Sequence, residues 1–338
     1  MTSSRRTPIS LLITTALLAA SAIFSGRPMA QTSGGISALY PGDVGIENNA
    51  AVRFTEQFEE GVIGNIASKW DATKNTDRMQ LVTDVPPGTP AGHSLSVPAI
   101  GGVIEGGQLY KVLTPGIDDT IYVRYYVKYP TTNNFAHTGI WVGGYNPVSA
   151  WPDPQAGSKP NGADRFIAGA EQNTITGGFD HYDYWMAMHP DAGGSYWGDF
   201  LLNNPSVKAT GGQWTCVEEM VKLNNPTTAF NGEHAIWLNG VKVSHLGQGF
   251  PKGYWNGGRF MQDPTSTTTF EGFRWRSTSA LNINWIWLQN YSPDTPAGQT
   301  TTLLFDHVVV ATSYIGCLGS AAQVPEAPKG LRITGASS

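Results

Sequence analysis

Charge is scarce in this 338-residue chain: charged residues make up 14%, against roughly 25% in ordinary domains. What charge there is leans acidic, with 26 Asp and Glu against 21 Lys and Arg and a formal net charge of -5. No basic excess is available to line a nucleic-acid backbone, which argues against that class of partner. Cysteine is almost missing, so no CxxC metal or redox pair exists, and no H-x-x-x-H zinc pattern occurs. Neither a GxSxG nucleophile elbow nor a phosphate loop is present. Beyond the amino terminus no run is long and apolar enough to span a bilayer. Glu56, Glu59 and Glu60 precede the strand-like runs and do not form the E-x-D-x-x-E array of sandwich-fold glucan hydrolases. No strand offers the alternating carboxyl pair, about 5 Å apart, that retaining hydrolysis needs.

Turn formers and aromatics are abundant instead: 40 Gly, 22 Pro, 11 Trp, 13 Tyr and 13 Phe. Such a chain can bury a large core, which excludes wholesale disorder, and it suits a β-rich protein with tight turns. The amino terminus reads as an export signal of residues 1–30. Arg5 and Arg6 precede an apolar stretch over 11–24, and small residues follow in Ala20-Ser21-Ala22 and Pro28-Met29-Ala30. The alternative, an anchor helix, is short and interrupted by Thr14, Thr15 and Ser21. Cleavage after Ala30 removes three arginines and no acid, so the secreted or periplasmic product is more acidic. In an exported chain Cys216 and Cys317 are expected to pair, although two buried thiols would also satisfy the sequence. A closed loop of 101 residues would add at most about 4–5 kcal/mol by chain entropy.

Residues 31–53 read as a loose lead-in, 54–319 as one domain without repeats, and 320–338 as a Pro- and Gly-containing tail. Period-two alternation predicts strands at 120–129, 166–170, 182–188, 216–223, 235–238, 272–277, 283–291 and 303–311. Asn239-Gly240 predicts a two-residue hairpin. The one expected helix, near 66–80, is weak. These elements predict an all-β, two-sheet antiparallel sandwich of the jelly-roll, concanavalin A-like sort.

Several positions are candidates for chemistry. One face of 120–129 carries Tyr122, Arg124, Tyr126 and Lys128 at steps of about 6.6 Å, comparable with a sugar unit. Tyrosines can stack on sugar faces and the cations can pair with acidic groups; a solvated strand face is the plainer alternative. The densest group of aromatic and titratable residues is 179–189, with Tyr182 and Tyr184 on one face and His181 and His189 on the other. These tyrosines are either proton carriers or core rings with satisfied hydroxyls. His137 precedes Gly143-Gly144, where a ligand or a neighbouring strand can approach closely. Glu218 and Lys222 share a face and are expected to pair, or Lys222 meets an acidic substrate. Arg274 and Arg276 share another face, facing an anionic ligand or solvent. In the alternating set Trp285, Trp287, Gln289 and Tyr291, the tryptophans read as core.

The runs QWTCVEEMVKLNNP, FNGEHAIWLNG and FDHVVVATSYIG resemble the shared strands of jelly-roll polysaccharide lyases of the alginate and glucuronan lyase type. Upstream, HTGIWVGGYNP and HYDYWMAMH are similar to the Gly-rich segment and tyrosine-bearing strand of the alginate lyase members. Those members carry a lysine just before the Gly-rich segment, where this chain has His137. Their following strand carries paired arginine, of which DRFIAGAEQN keeps only Arg165. The likeness spans roughly residues 120–317 and implies a sandwich with a cleft for an acidic polysaccharide. Under β-elimination, Arg124 would neutralise the uronate carboxylate, assisted by Lys128, Arg165 or Lys222. His137 or His181 would be the base and Tyr182 or Tyr184 the acid. A carbohydrate-binding protein or a hydrolase of the same sandwich class is the alternative. No cofactor is required. A structural calcium ion is compatible with such sandwiches, but no ligand spacing demands one. A monomer, free of the membrane once the signal is removed, is expected.

Overall fold

The computed structural model describes residues 35–319 except 91, 133–134, 152–155, 173–176, 199–200, 202–203 and 205. The predicted signal and carboxy-terminal tail lie outside the described residues. Sixteen strands follow in chain order: β1 Val52–Glu56, β2 Ala72–Lys74, β3 Gln80–Val82, β4 Ser94–Ile100, β5 Gly106–Ile117, β6 Thr120–Lys128, β7 His137–Tyr145 and β8 Arg165–Gln172. Then come β9 Phe179–His181, β10 Trp214–Lys222, β11 Glu233–Leu238, β12 Val241–Leu246, β13 Gly253–Asn256, β14 Arg259–Gln262, β15 Ile283–Tyr291 and β16 Thr300–Ala311. Eight of them form one antiparallel sheet in the order β12-β11-β10-β6-β16-β4-β3, with β1 also on β16. Six form a second, β2-β5-β15-β7-β8-β9, and β13 and β14 make a separate ribbon.

The two large sheets stack through their apolar faces, as the alternation requires. Ile121, Val123, Tyr125 and Val127 of β6 are fully buried, and the Tyr125 hydroxyl donates to the Ala170 carbonyl of the opposite sheet. Opposite them, Ile140, Val142, Ala168, Ala170, Ile286 and Leu288 are equally buried. Branched and aromatic side chains fit such pleated, half-covered surfaces. Asn239 and Gly240 take φ of 51° and 78° and close the β11–β12 hairpin, because the primed turn needs left-handed residues. Among the described residues no helix is long and apolar enough to cross a membrane.

Several local expectations fail for identifiable reasons. The helix is shorter and earlier, Ile63–Lys69, because residues 72–74 are captured as an edge strand on β5. The run 182–188 leaves the ladder: beyond β9 only the bridge between Ile167 and Tyr184 remains, and the chain then turns. Residues 272–277 form no strand; Phe273 bridges Gly232 and stacks on Trp275 with ring centroids 4.2 Å apart. Residues 36–48, within the segment read as loose, fold into short 3-10 turns that bury Ile36, Ser37, Asp43 and Ile46.

That segment covers the outer face of the eight-stranded sheet. There Arg124 is fully buried: Nη2 donates to Asp43 Oδ2 at 2.6 Å and Nη1 to the His307 carbonyl at 2.6 Å. His307 Nδ1 lies 3.0 Å from the same Asp43 carboxylate. Burial alone would raise the Asp43 pKa; Arg124 and His307 outweigh it and hold the carboxyl below its ordinary value. Asp43 and His307 both sit at positive φ, 59° and 47°, a conformation that persists only where surroundings impose it. Residues 314–318 lie over the same face. Glu218 accepts the Ile315 and Gly316 N–H groups, the Tyr126 hydroxyl accepts the Leu318 N–H, and Tyr122 packs on Trp237 and Tyr314. The Cys216–Cys317 disulfide pins this strap to the middle of the sheet.

Candidate functional site

The outer face of the six-stranded sheet is open where the other is covered. Its strands carry a trough in two joined parts. The first, 370 Å³, is lined by Gln108 of β5, His137 and Trp141 of β7, and Trp287, Gln289 and Tyr291 of β15. Lys74, Glu105, Trp151, Ala156, Ile167, Tyr182 and Tyr184 complete it. The second, 540 Å³, continues past His137 and Tyr182 to Asp191, Trp197, Gly198 and the β13–β14 turn with Arg259. His137 and Tyr182 line both parts and so mark the centre.

Register explains the convergence. Tyr291 pairs with His137, Gln289 with Gly139 on one side and Gln108 on the other, and Trp287 with Trp141. Trp141 in turn faces Gly169 of β8. A β-carbon at Gly169 would stand 2.6 Å from the Trp141 ring, so glycine lets the indole lie across the neighbouring strand. At Gly143 the close approach comes from the Trp285 ring of β15, which occupies the space a β-carbon would need and makes that glycine a packing site.

The polar groups at the centre are held by a buried carboxylate. Glu171 of β8 has one oxygen 3.0 Å from His137 Nδ1 and accepts the Trp141 indole N–H on the other at 3.0 Å. This fixes the tautomer of neutral His137 with hydrogen on Nδ1, leaving Nε2 as the basic nitrogen. Burial alone would lower the His137 pKa; the charge of Glu171 and its hydrogen bond outweigh that and raise it. The Tyr182 ring lies 4.7 Å from His137, and its hydroxyl is 3.2 Å from that of Tyr184. Burial, the adjoining Tyr184 and the charge of Glu171 push the Tyr182 phenol far above its ordinary pKa, so it stays protonated. Gly198, at φ 77°, lies against both phenol rings. Gln289 is 1% exposed, yet its Nε2 meets no hydrogen-bond acceptor among the described residues, and neither does the Trp287 indole N–H. Donors left unpaired in a lined trough suit a ligand that supplies oxygen acceptors.

Of the sequence candidates, the structure brings His137, Tyr182 and Tyr184 together and puts the others elsewhere. Arg124 is sealed against Asp43 beneath the opposite sheet's covering, and Tyr122 and Tyr126 share that covered face. Lys128 pairs with Asp84 at 2.6 Å. Lys222 pairs with Glu233 at 2.8 Å and not with Glu218, whose oxygens hold the strap. Arg165 contacts Asp164 and Ser158. Arg274 donates to the Thr227 carbonyl, and Arg276 to the carbonyls of Leu281 and Asp118, so both tie loops together. His181 is fully buried on the reverse side of the strand from Tyr182, against His234 and Ser244. His189 stacks on Trp255 at 3.9 Å and meets Glu271. The tryptophans of β15 divide: Trp285 is core and Trp287 lines the trough. Sequence reasoning missed Glu171, Trp141 and Gln289. The signal for Gln289 was a lone amide in an otherwise aromatic alternation.

No family model matches the chain, and no curated protein matches it. Among solved structures, the alginate lyase vAL-1 from Chlorella virus is similar over 76% of this chain and 98% of its own, at 13% identity and a TM-score of 0.51. Alginate lyase Aly36B aligns over 80% of this chain and 96% of its own, with 15% identity and a TM-score of 0.45. The cellulose-induced protein Cip1 aligns over 78% and 99%, with 16% identity and a TM-score of 0.43. At such identity the likeness to vAL-1 is one of fold: the two chains share a two-sheet antiparallel β-sandwich.

Proposed function

We propose that this protein is an exported lyase that cleaves a uronate-containing polysaccharide by β-elimination in the trough. The single observation supporting this reading is that three kinds of group line one trough. They are a histidine backed by a buried carboxylate, a pair of hydrogen-bonded tyrosines, and an amide donor without a partner. In the proposed step His137 Nε2 takes the C5 proton next to the uronate carboxylate. The released electron pair forms the C4–C5 double bond, the C4–O bond breaks, and the Tyr182 phenol protonates the departing oxygen, with Tyr184 next in line. Charge developing on the carboxylate is met by the Gln289 amide, in the role that sequence reasoning assigns to Arg124. Trp141, Trp151 and Trp287 form an aromatic wall on which sugar faces can stack. Lys74 in the first part of the trough and Arg259 in the second suit an anionic chain. All the chemistry is carried by protein groups of one chain.

Hydrolysis fits less well, since both oxygens of Glu171 are engaged by His137 and Trp141. The aromatic wall also favours a second reading, carbohydrate binding without cleavage. One experiment separates the three: incubation of the mature protein with alginate, glucuronan, pectate and neutral β-glucans. Ultraviolet absorbance from unsaturated uronate ends on an acidic polymer is the expected result. Reducing ends without that absorbance would mean hydrolysis, and retention on the polymer with neither product would mean binding alone.

A further inference from the structure

Directly behind the two tyrosines lies a second polar cluster that the trough does not use. Residues 181–184 alternate: Tyr182 and Tyr184 line the trough, while His181 and Asp183 turn inward. They meet His234 of β11, in the opposite sheet, and all three side chains are fully buried. His181 Nδ1 lies 2.9 Å from His234 Nδ1, which is 3.1 Å from each Asp183 oxygen; Asp183 Oδ2 is 3.7 Å from His181 Nδ1. One atom from each residue falls within 4.8 Å of the others.

Hydrogen bonding alone serves this arrangement poorly. His234 Nδ1 carries at most one hydrogen, yet it stands 2.9–3.1 Å from three atoms that can each offer a lone pair, His181 Nδ1 and both Asp183 oxygens. A cation accepts all of those lone pairs at once. The far side of each imidazole is also occupied as in metal centres. His234 Nε2 lies 3.3 Å from Glu219 Oε2, and His181 Nε2 lies 2.6 Å from Ser244 Oγ. Outer carboxylates and hydroxyls of this kind orient ligating histidines. Glu219 is itself fully buried. Two imidazoles and one carboxylate favour a zinc-like ion over calcium or magnesium, which prefer all-oxygen sites.

We propose that His181, Asp183 and His234 form a buried structural site for a divalent transition-metal ion of the zinc class, with Glu219 and Ser244 orienting its two imidazoles. The ligands come from both large sheets, so the ion fastens the tyrosine-bearing segment to β11 across the sandwich. The site stands on its own geometry and does not depend on the lyase reading. Because it is sealed from solvent, the metal enters as the chain folds.

The test uses the full chain, purified without a histidine tag and dialysed exhaustively against EDTA. Elemental analysis is expected to find one zinc per chain, released only when guanidinium unfolds the protein. After refolding, cobalt(II) should bind in the same ratio, give the visible spectrum of nitrogen and oxygen coordination, and be displaced by zinc. The metal-loaded chain should melt at a higher temperature than the metal-free one. A purified chain free of metal, together with no stoichiometric uptake of either ion on refolding, overturns the proposal. His181→Asn and Asp183→Asn should lose the ion; where they fail to fold, Glu219→Gln decides, since it keeps every ligand and should weaken affinity about 10–100-fold. Unchanged affinity in Glu219→Gln and Ser244→Ala overturns the assignment to this cluster.

Discussion

The outer faces of the two sheets are alike in sequence and opposite in fate. On β6, Tyr122, Arg124, Tyr126 and Lys128 alternate; on β15, Trp285, Trp287, Gln289 and Tyr291 do the same. The first face is roofed by residues 36–48 and 314–318, and Arg124 is spent on Asp43 and the His307 carbonyl. The second stays open from Trp287 onward, and its buried amide keeps an unused donor. Aromatic and polar alternation therefore identifies an outer face rich in side chains. What covers that face determines whether it holds the molecule together or meets a ligand.

The sharpest way to break this comparison is to remove the centre of the open face. His137→Ala is expected to lower kcat by about 10²–10⁴, the usual worth of a positioned base, with polymer retention and melting temperature little changed. A fall in melting temperature in place of kcat would make the two faces equivalent. The reciprocal change, Arg124→Met, should leave kcat of the folded protein intact while costing about 3–5 kcal/mol in denaturant unfolding, because the buried Asp43 carboxylate loses its guanidinium partner and keeps only His307 and Ser37. Loss of kcat without loss of stability would return Arg124 to the chemistry.

A pH profile sharpens the role of the carboxylate. In the proposed step His137 is the base and must be neutral, and Glu171 raises its pKa. The rate should therefore climb with pH through a midpoint above the ordinary imidazole value. In Glu171→Gln the raising charge is gone, so the acidic limb of kcat/KM should move to lower pH, on a reduced maximum. An unmoved limb would separate His137 from that limb. The smallest effect is expected at Gly198→Ala. There the new methyl meets both phenol rings at a left-handed backbone position, and turnover should drop several-fold with KM nearly constant.

How much of this was legible varies with distance along the chain. The hairpin at Asn239-Gly240 could be read because the turn's requirement for positive φ is met by two adjacent residues. His137, Tyr182 and Tyr184 could be named because each stands in a local cluster of unusual composition. Glu171 could not: in DRFIAGAEQN it is one acid in an apolar strand, and its value comes from two partners 30 and 34 positions away. The cationic candidates misled for the same reason. Arg124 and Lys128 look available until Asp43 and Asp84, distant in sequence, are folded against them.

Period-two alternation and turn residues pointed to the all-β sandwich from sequence alone, since each rests on neighbours in the chain, whereas the pairing of Cys216 with Cys317 was left open until the fold brought them together. Burial order, partner choice and the difference between a covered face and an open one were decided by the tertiary structure. Those depend on long-range register and on where segments outside the strands come to lie, and neither leaves a local trace in the order of residues.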